Sequence, residues 1–233
     1  MGIGSQGQRD RLAILIDADN IRPDFVPLII REASAIGTII IKRVYGNFGC
    51  PAMTAWQPLV HKHAVSPVHV APAARSKNAS DLKLAVDAMD ILHRGRVDGF
   101  CIASSDSDFT SLASRIREDG LSVYGFGEKK ASEAYVNSCN DFFYCDLLLK
   151  EDAKADSSSS KPKPPLQEIL AAIDETSREG GWAHLSAVRN VLNKRIQGFH
   201  PRNYGFKALL PFMEDIPSLE CKSNGGGAYV KRK

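Results

Sequence analysis

Residues 12–20 read Leu-Ala-Ile-Leu-Ile-Asp-Ala-Asp-Asn, an apolar run that ends abruptly in two carboxylates and an amide. A strand with one wet face alternates apolar and polar side chains. A strand apolar at every position is buried on both faces, as in a parallel sheet covered by helices on either side. Similar short runs at residues 38–45, 68–70, 99–103 and 121–126 are separated by helical patterns at 25–36, 53–64, 80–93 and 109–118. This alternation predicts a doubly wound α/β/α sandwich with a mainly parallel sheet. In such sheets ligands bind beyond the carboxyl ends of the strands, so the residues that follow each run are the informative ones.

Those residues are acidic. Asp17, Asp19 and Asn20 follow the first strand, Asp106 and Asp108 follow the fourth in Ser104-Ser105-Asp106-Ser107-Asp108-Phe109, and Asp81 lies in the first turn of the helix after the third. Three strand–helix junctions thus bring carboxylates to one edge of the sheet. Crowded carboxylates raise one another's pKa unless a cation neutralises them. Mg2+ or Mn2+ is the expected cation, because hard ions take oxygen ligands, bridge phosphates and acidify a bound water. Hydrolysis of a phosphodiester follows. Helix capping accounts for one aspartate, but it does not call for an acid at every junction.

Neighbouring residues carry weaker signals. Arg75 and Lys77 suit a phosphate, and equally suit an ordinary polar loop. Ser104 and Ser105 bond phosphate or, more simply, shape a turn. Asp87 lies six residues beyond Asp81, roughly 240° further round the helix. With Leu82, Ala85, Val86 and Met89 read as the core stripe, Asp87 is expected on the solvated side. His61 and His63 fall on different helix faces and share no metal, and Gly125-Phe126-Gly127 reads as a turn.

Residues 150–165, KEDAKADSSSSKPKPP, lack periodicity and large apolar side chains. They mark a flexible linker at 151–164 between domains spanning 1–150 and 165–233. From Lys161 onward twelve Lys/Arg face seven Asp/Glu, a balance of +5, against 18 − 20 = −2 before it. The second domain is expected to hold helices at 166–177, 184–196 and 203–214 and a hairpin at 218–222 and 228–231, closed by Ser223-Asn224-Gly225-Gly226-Gly227. That makes a winged helix-turn-helix. Lys194, Arg195, Arg202, Lys207, Lys231, Arg232 and Lys233 suit a phosphate backbone, Tyr204 suits stacking on a base, and Phe206 and Trp182 read as core.

No apolar run approaches the roughly 20 residues that cross a bilayer. The first residues lack a signal peptide's apolar stretch, so a cytoplasmic address is expected. The five cysteines show no metal-binding spacing and read as reduced, mostly buried thiols.

Taken together and in order, Ile16-Asp17-Ala18-Asp19-Asn20, residues 77–81 and Ser104 through Phe109 resemble the NYN branch of the PIN-like nucleases. The resemblance implies a PIN-like sandwich that binds Mg2+ or Mn2+ and cleaves RNA, single-stranded RNA being the expected substrate. It also implies that Asp17, Asp81 and Asp106 bind metal, with Asp108 a fourth acid, at the ion or behind its ligands, and Asn20 a polar positioner; beside that site Lys77 and Ser105 are the expected substrate contacts. Residues 165–233 resemble the LOTUS, or OST-type helix-turn-helix, domain, which implies RNA binding or docking of a protein partner. Against the ribonuclease stand a catalytically inactive RNA-binding scaffold, which would be free to lose its acids, and a phosphatase, which would favour a closed pocket over an open groove.

Overall fold

Every residue from Leu12 to Asp17 of the first strand, β1 (Arg11–Asp17), is buried, as the unbroken apolar run requires. The structure, a computed structural model, describes residues 10–71, 78–154, 163–178, 180–196, 198–224 and 227–233. The chain divides into two units, Met1–Asp146 and Leu147–Lys233.

After β1 the first unit continues with α1 (Val26–Ile36), β2 (Thr38–Gly46), α2 (Gln57–His63), β3 (Ser66–His69), α3 (Ala79–His93), β4 (Gly99–Ala103), α4 (Thr110–Glu118), β5 (Ser122–Gly127), α5 (Glu133–Ser138) and β6 (Asp141–Tyr144); α6 (Cys145–Lys154) leaves it. The sheet order is β3-β2-β1-β4-β5-β6, and every neighbouring pair is parallel. The winding reverses between β1 and β4, which places the topological switch point beside Asp17. Pro67 sits in edge strand β3, where its missing N–H breaks no ladder.

Leu84, Ala88 and Ile91 of α3 and Ala113 and Ile116 of α4 pack with Phe100, Ile102 and Tyr45 of the sheet. Each leucine or isoleucine side chain among them contributes roughly 1.5–3 kcal/mol by leaving water. The buried face of α3 differs from the expected one. Leu82 and Val86 are 68% and 48% exposed, whereas Asp87 is buried at 7%. Asp87 accepts hydrogen bonds from Arg43 Nη1 at 2.9 Å, Tyr45 Oη at 3.1 Å and Lys83 Nζ at 2.9 Å, so a neutralised acid takes the core position that the apolar count gave to Leu82 and Val86.

The Gly125-Phe126-Gly127 segment lies inside β5, not in a turn. A Cβ on Gly125 would stand 2.4 Å from the Phe142 ring, so glycine here admits the neighbouring strand's aromatic side chain. The expected helix at 53–64 is divided into a 3-10 turn, Pro51–Trp56, and α2.

The second unit holds α7 (Leu166–Thr176), β7 (Ala183–His184), α8 (Leu185–Arg195), α9 (Leu209–Glu214), β8 (Leu219–Asn224) and β9 (Gly227–Arg232). Its antiparallel sheet runs β7-β9-β8. Ile169, Ile173, Val188, Leu192, Phe212, Met213 and Val230 form the core, with Tyr204 and Phe206 packed against it. The expected helix at 203–214 breaks at Gly205, whose φ of 83° is left-handed. Trp182 is half-buried, contrary to its reading as core, and lines a surface cavity.

The five cysteines are free. Among the described residues no helix is long and apolar enough to cross a membrane.

Candidate active site

Asp17 ends β1 at 1% exposure. Its Oδ1 accepts the Asp19 amide at 3.1 Å, and its Oδ2 accepts Asn20 Nδ2 at 2.7 Å and Ser104 Oγ at 2.9 Å. Burial pushes this carboxyl upward; Asn20, Ser104 and the Asp19 amide pull it part of the way back.

Ser104, the first residue after β4, is fully buried. Its Oγ also accepts the Asp106 amide at 3.1 Å, so one hydroxyl joins the ends of β1 and β4. Asp106 caps the 3-10 turn Ser107–Phe109 by accepting the Asp108 amide at 3.0 Å. Capping and membership of an acidic cluster therefore coexist in this residue.

The start of α3 is tied to both strand ends. Ser80 Oγ donates to Asp19 Oδ2 at 2.8 Å, and Asn78 Nδ2 donates to Asp108 Oδ2 at 3.2 Å. Asp81 follows in the first helical turn. Its carboxyl is pushed up to about 6, first by burial and then by the negative charges of Asp17, Asp106, Asp19 and Asp108. A helix N-terminus ordinarily favours a carboxylate, so mutual repulsion and burial outweigh the dipole here. The three junctions do bring their acids within electrostatic reach of one another.

Of the other sequence candidates, Asn20 holds Asp17, and Ser105 Oγ accepts the Glu128 amide at 3.0 Å, tying the loops after β4 and β5. A Cβ on the adjacent Gly127 would lie 2.6 Å from the Ser104 carbonyl oxygen. Lys77 and Arg75 lie outside the described residues. Ser104, Ser80 and Asn78 escaped the sequence reading as organisers of the acids, because what they join depends on which strands are neighbours. The one signal available was the position of Ser104 directly after a fully apolar strand. Next to the acids opens a cavity of about 430 Å³ whose lining includes Asp19, Asn20, Trp56, Glu128 and Lys130.

The donor set is all oxygen and mutually repelling, the chemistry that a hard divalent ion satisfies. Among the described residues no three acidic, histidine or cysteine side chains are already gathered as a ligand cage, so an ion would have to draw the carboxylates inward.

Residues 11–149 match the NYN domain family, and residues 157–231 match the OST-HTH/LOTUS domain. No curated protein matches. Among solved structures, a protein of unknown function from Vibrio parahaemolyticus is 16% identical with a TM-score of 0.51, over 60% of this chain and 95% of that one, a likeness of fold alone. An uncharacterized protein from Nitrosomonas europaea is 27% identical with a TM-score of 0.30, over 33% of this chain and 80% of its own. A protein from Chromobacterium violaceum is 33% identical with a TM-score of 0.25, over 33% and 86%.

Proposed function

This chain belongs to the NYN family, of the PIN-like nuclease superfamily, and from that premise we propose that it is a ribonuclease dependent on Mg2+ or Mn2+. The observation that carries the reading is the gathering of Asp17, Asp106, Asp19 and Asp108 within electrostatic reach of Asp81, where their negative charges add to burial in raising that carboxyl to about 6. Asp17, Asp81, Asp106 and Asp108 are the acids that would hold the ion. Once bound, it would supply charge neutralisation for a scissile phosphate and an acidified water.

The chain's own residues supply order around that centre. Asn20 and Ser104 fix the Asp17 carboxylate from two sides, and Ser80 and Asn78 fix the start of α3 against the loops after β1 and β4. Asn20, Lys77 and Ser105 are proposed to contact the RNA, with single strands the preferred substrate. The OST-HTH/LOTUS domain implies RNA binding; the proposed domain limits are 1–150 and 165–233, with 151–164 a linker. Five free thiols suit a reducing, cytoplasmic setting.

A second reading, RNA binding without cleavage, is favoured by one observation: internal hydrogen bonds already engage both oxygens of Asp17. Incubating purified protein with labelled single-stranded RNA, double-stranded RNA and single-stranded DNA, each with Mg2+, Mn2+ or chelator, separates the two. Cleavage of RNA that chelator stops is the expected result. Binding without cleavage under every metal condition would leave the second reading.

A further inference from the structure

The sheet of the C-terminal unit has two chemically distinct faces. Inward, Ala183, Leu219 and Val230 are buried. Outward lie the alternate residues, paired directly across the ladder as His184 with Tyr229, Lys222 with Tyr229, and Glu220 with Lys231. Residues opposed in an antiparallel pair share a face, and Trp182, two positions before His184, falls on the same one.

The contacts on that face are specific. Lys222 Nζ stands 3.8 Å from the Trp182 ring centroid and 5.8 Å from that of Tyr229, and Lys231 Nζ stands 4.8 Å from Trp182. His184 meets Tyr229 edge-on, with centroids 5.0 Å apart. Gly227 makes that packing feasible: a Cβ there would lie 2.4 Å from His184 Nε2. The rings surround a cavity of about 300 Å³ rimmed by Arg178, at the small end of the range for ligand pockets. One acid, Glu220, shares the face and pairs with Lys231 at 2.9 Å.

Aromatic rings interleaved with cations are the chemistry that recognises unpaired bases, because every base offers a π-face and every nucleotide a phosphate. A duplex hides its bases in the stack and has no use for exposed rings. At the end of α8, Arg195 is engaged by Glu175 at 2.5 Å.

We propose that this outer sheet face, formed by Trp182, His184, Tyr229, Lys222 and Lys231 with Arg178 at its rim, is a stacking platform for single-stranded RNA. The proposal rests on the reading of the chain as a protein that acts on RNA, and it assigns strand recognition to the sheet in place of helix α8. Bases stack on Trp182 and Tyr229. Lys222 and Lys231 exchange their ring contacts for the neighbouring phosphates.

The test uses the full chain in chelator, so that binding is read without cleavage. Short single-stranded RNA should quench tryptophan fluorescence. Trp182→Phe should remove the share of the quenching that Trp182 supplies, leaving only what Trp56 gives, while keeping the affinity, since a ring remains. Trp182→Ala and the surface substitution Lys222→Glu should each weaken binding about tenfold or more, with circular dichroism unchanged and double-stranded RNA bound more weakly than single strands. Unchanged affinity in folded Trp182→Ala and Lys222→Glu proteins, no binding of single strands at all, or equal quenching by duplex RNA would each overturn the platform. Cleavage measured separately with Mn2+ keeps the two readings apart. A chain that binds in this pattern but never cleaves loses the nuclease reading and keeps the platform; one that cleaves while the variants bind normally does the reverse.

Discussion

The Ser104 hydroxyl donates to the Asp17 carboxylate at 2.9 Å, joining the end of β4 to the end of β1 across the point where the winding of the sheet reverses. Because the same Oγ accepts the Asp106 amide at 3.1 Å, one buried side chain sets the spacing of two acids from different junctions. Ser104→Ala should lower cleavage about 10- to 100-fold, the equivalent of about 1.5–3 kcal/mol for a hydrogen bond to a charged group. The bond also favours the ionised form of Asp17. Its loss should raise that pKa further and move the acid limb of the pH–rate profile to higher pH. A rate loss with no movement of the limb would assign Ser104 to folding alone.

Asp17→Asn and Asp106→Asn should each reduce metal-dependent cleavage more than about 100-fold while leaving the fold intact, since each removes a charge the ion needs at nearly constant volume. Asp106→Asn is the cleaner variant, because Asn caps a helix about as well as Asp. The check is a labelled-RNA cleavage assay beside a thermal melt. Undiminished cleavage by a contaminant-free double variant would refute the site.

Asp81 carries a stability signature of its own. Its folded-state pKa of about 6 lies above the unfolded value, so folding binds a proton and the stability associated with that proton is lost as pH rises between about 4 and 6. Asp81→Asn should therefore stabilise the metal-free protein at pH 7, by about 1–2 kcal/mol after allowance for solvent screening. At pH 4 it should change little. Mn2+ should raise the melting temperature of the unsubstituted protein more than that of the variant. A variant that is less stable than its parent at pH 7 would show that the acids do not repel as described.

Asp17 and Asp106 were legible because they follow runs that can only be central strands, and Asp81 because it opens the helix that follows edge strand β3 and so starts at the same, carboxyl end of the sheet. The partners of the acids were not legible. Ser104 matters through the adjacency of β1 and β4, and Gly125 through the Phe142 ring on β6 (Asp141–Tyr144), a four-residue strand with no periodicity of its own. The face of α3 was misread for a related reason. Counting apolar side chains favours Leu82 and Val86, but Arg43 and Tyr45 on β2 reach Asp87 from more than 40 positions away and make an acid the better core residue. Trp182 was misread because β7 has two residues, too few to display alternation.

Asp87 supports a second stability prediction. Burial works to raise its carboxyl, but Lys83, Tyr45 and Arg43 outweigh burial and hold it below the ordinary carboxylate range. Because the folded pKa is depressed, the stability it confers is present above the unfolded pKa and lost as pH falls through the folded one. Asp87→Ala should cost about 2–4 kcal/mol at pH 7, since it strands Arg43 and the Tyr45 hydroxyl, and less at pH 2. Urea unfolding at both pH values is the measurement. A pH-independent difference would point to lost packing in place of lost charge pairing.

Removing residues 157–233 should weaken RNA binding more than it slows the chemical step. The excess positive charge lies in this part of the chain, whereas the proposed metal ligands lie before it. If the C-terminal domain positions RNA, saturating substrate should restore turnover and the apparent KM should rise, the mark of lost uniform binding. Affinity of the full chain should also fall more steeply with salt, because each phosphate contact with a single strand adds about 0.7 to the slope of log K against log salt. Trp182→Ala within the full chain should reproduce much of the KM effect and little of the salt effect, since a stacked ring releases few counterions, while Lys222→Glu should move both. Equal affinity and equal salt slope with and without the domain would reject RNA recruitment and leave docking of a protein partner as its role.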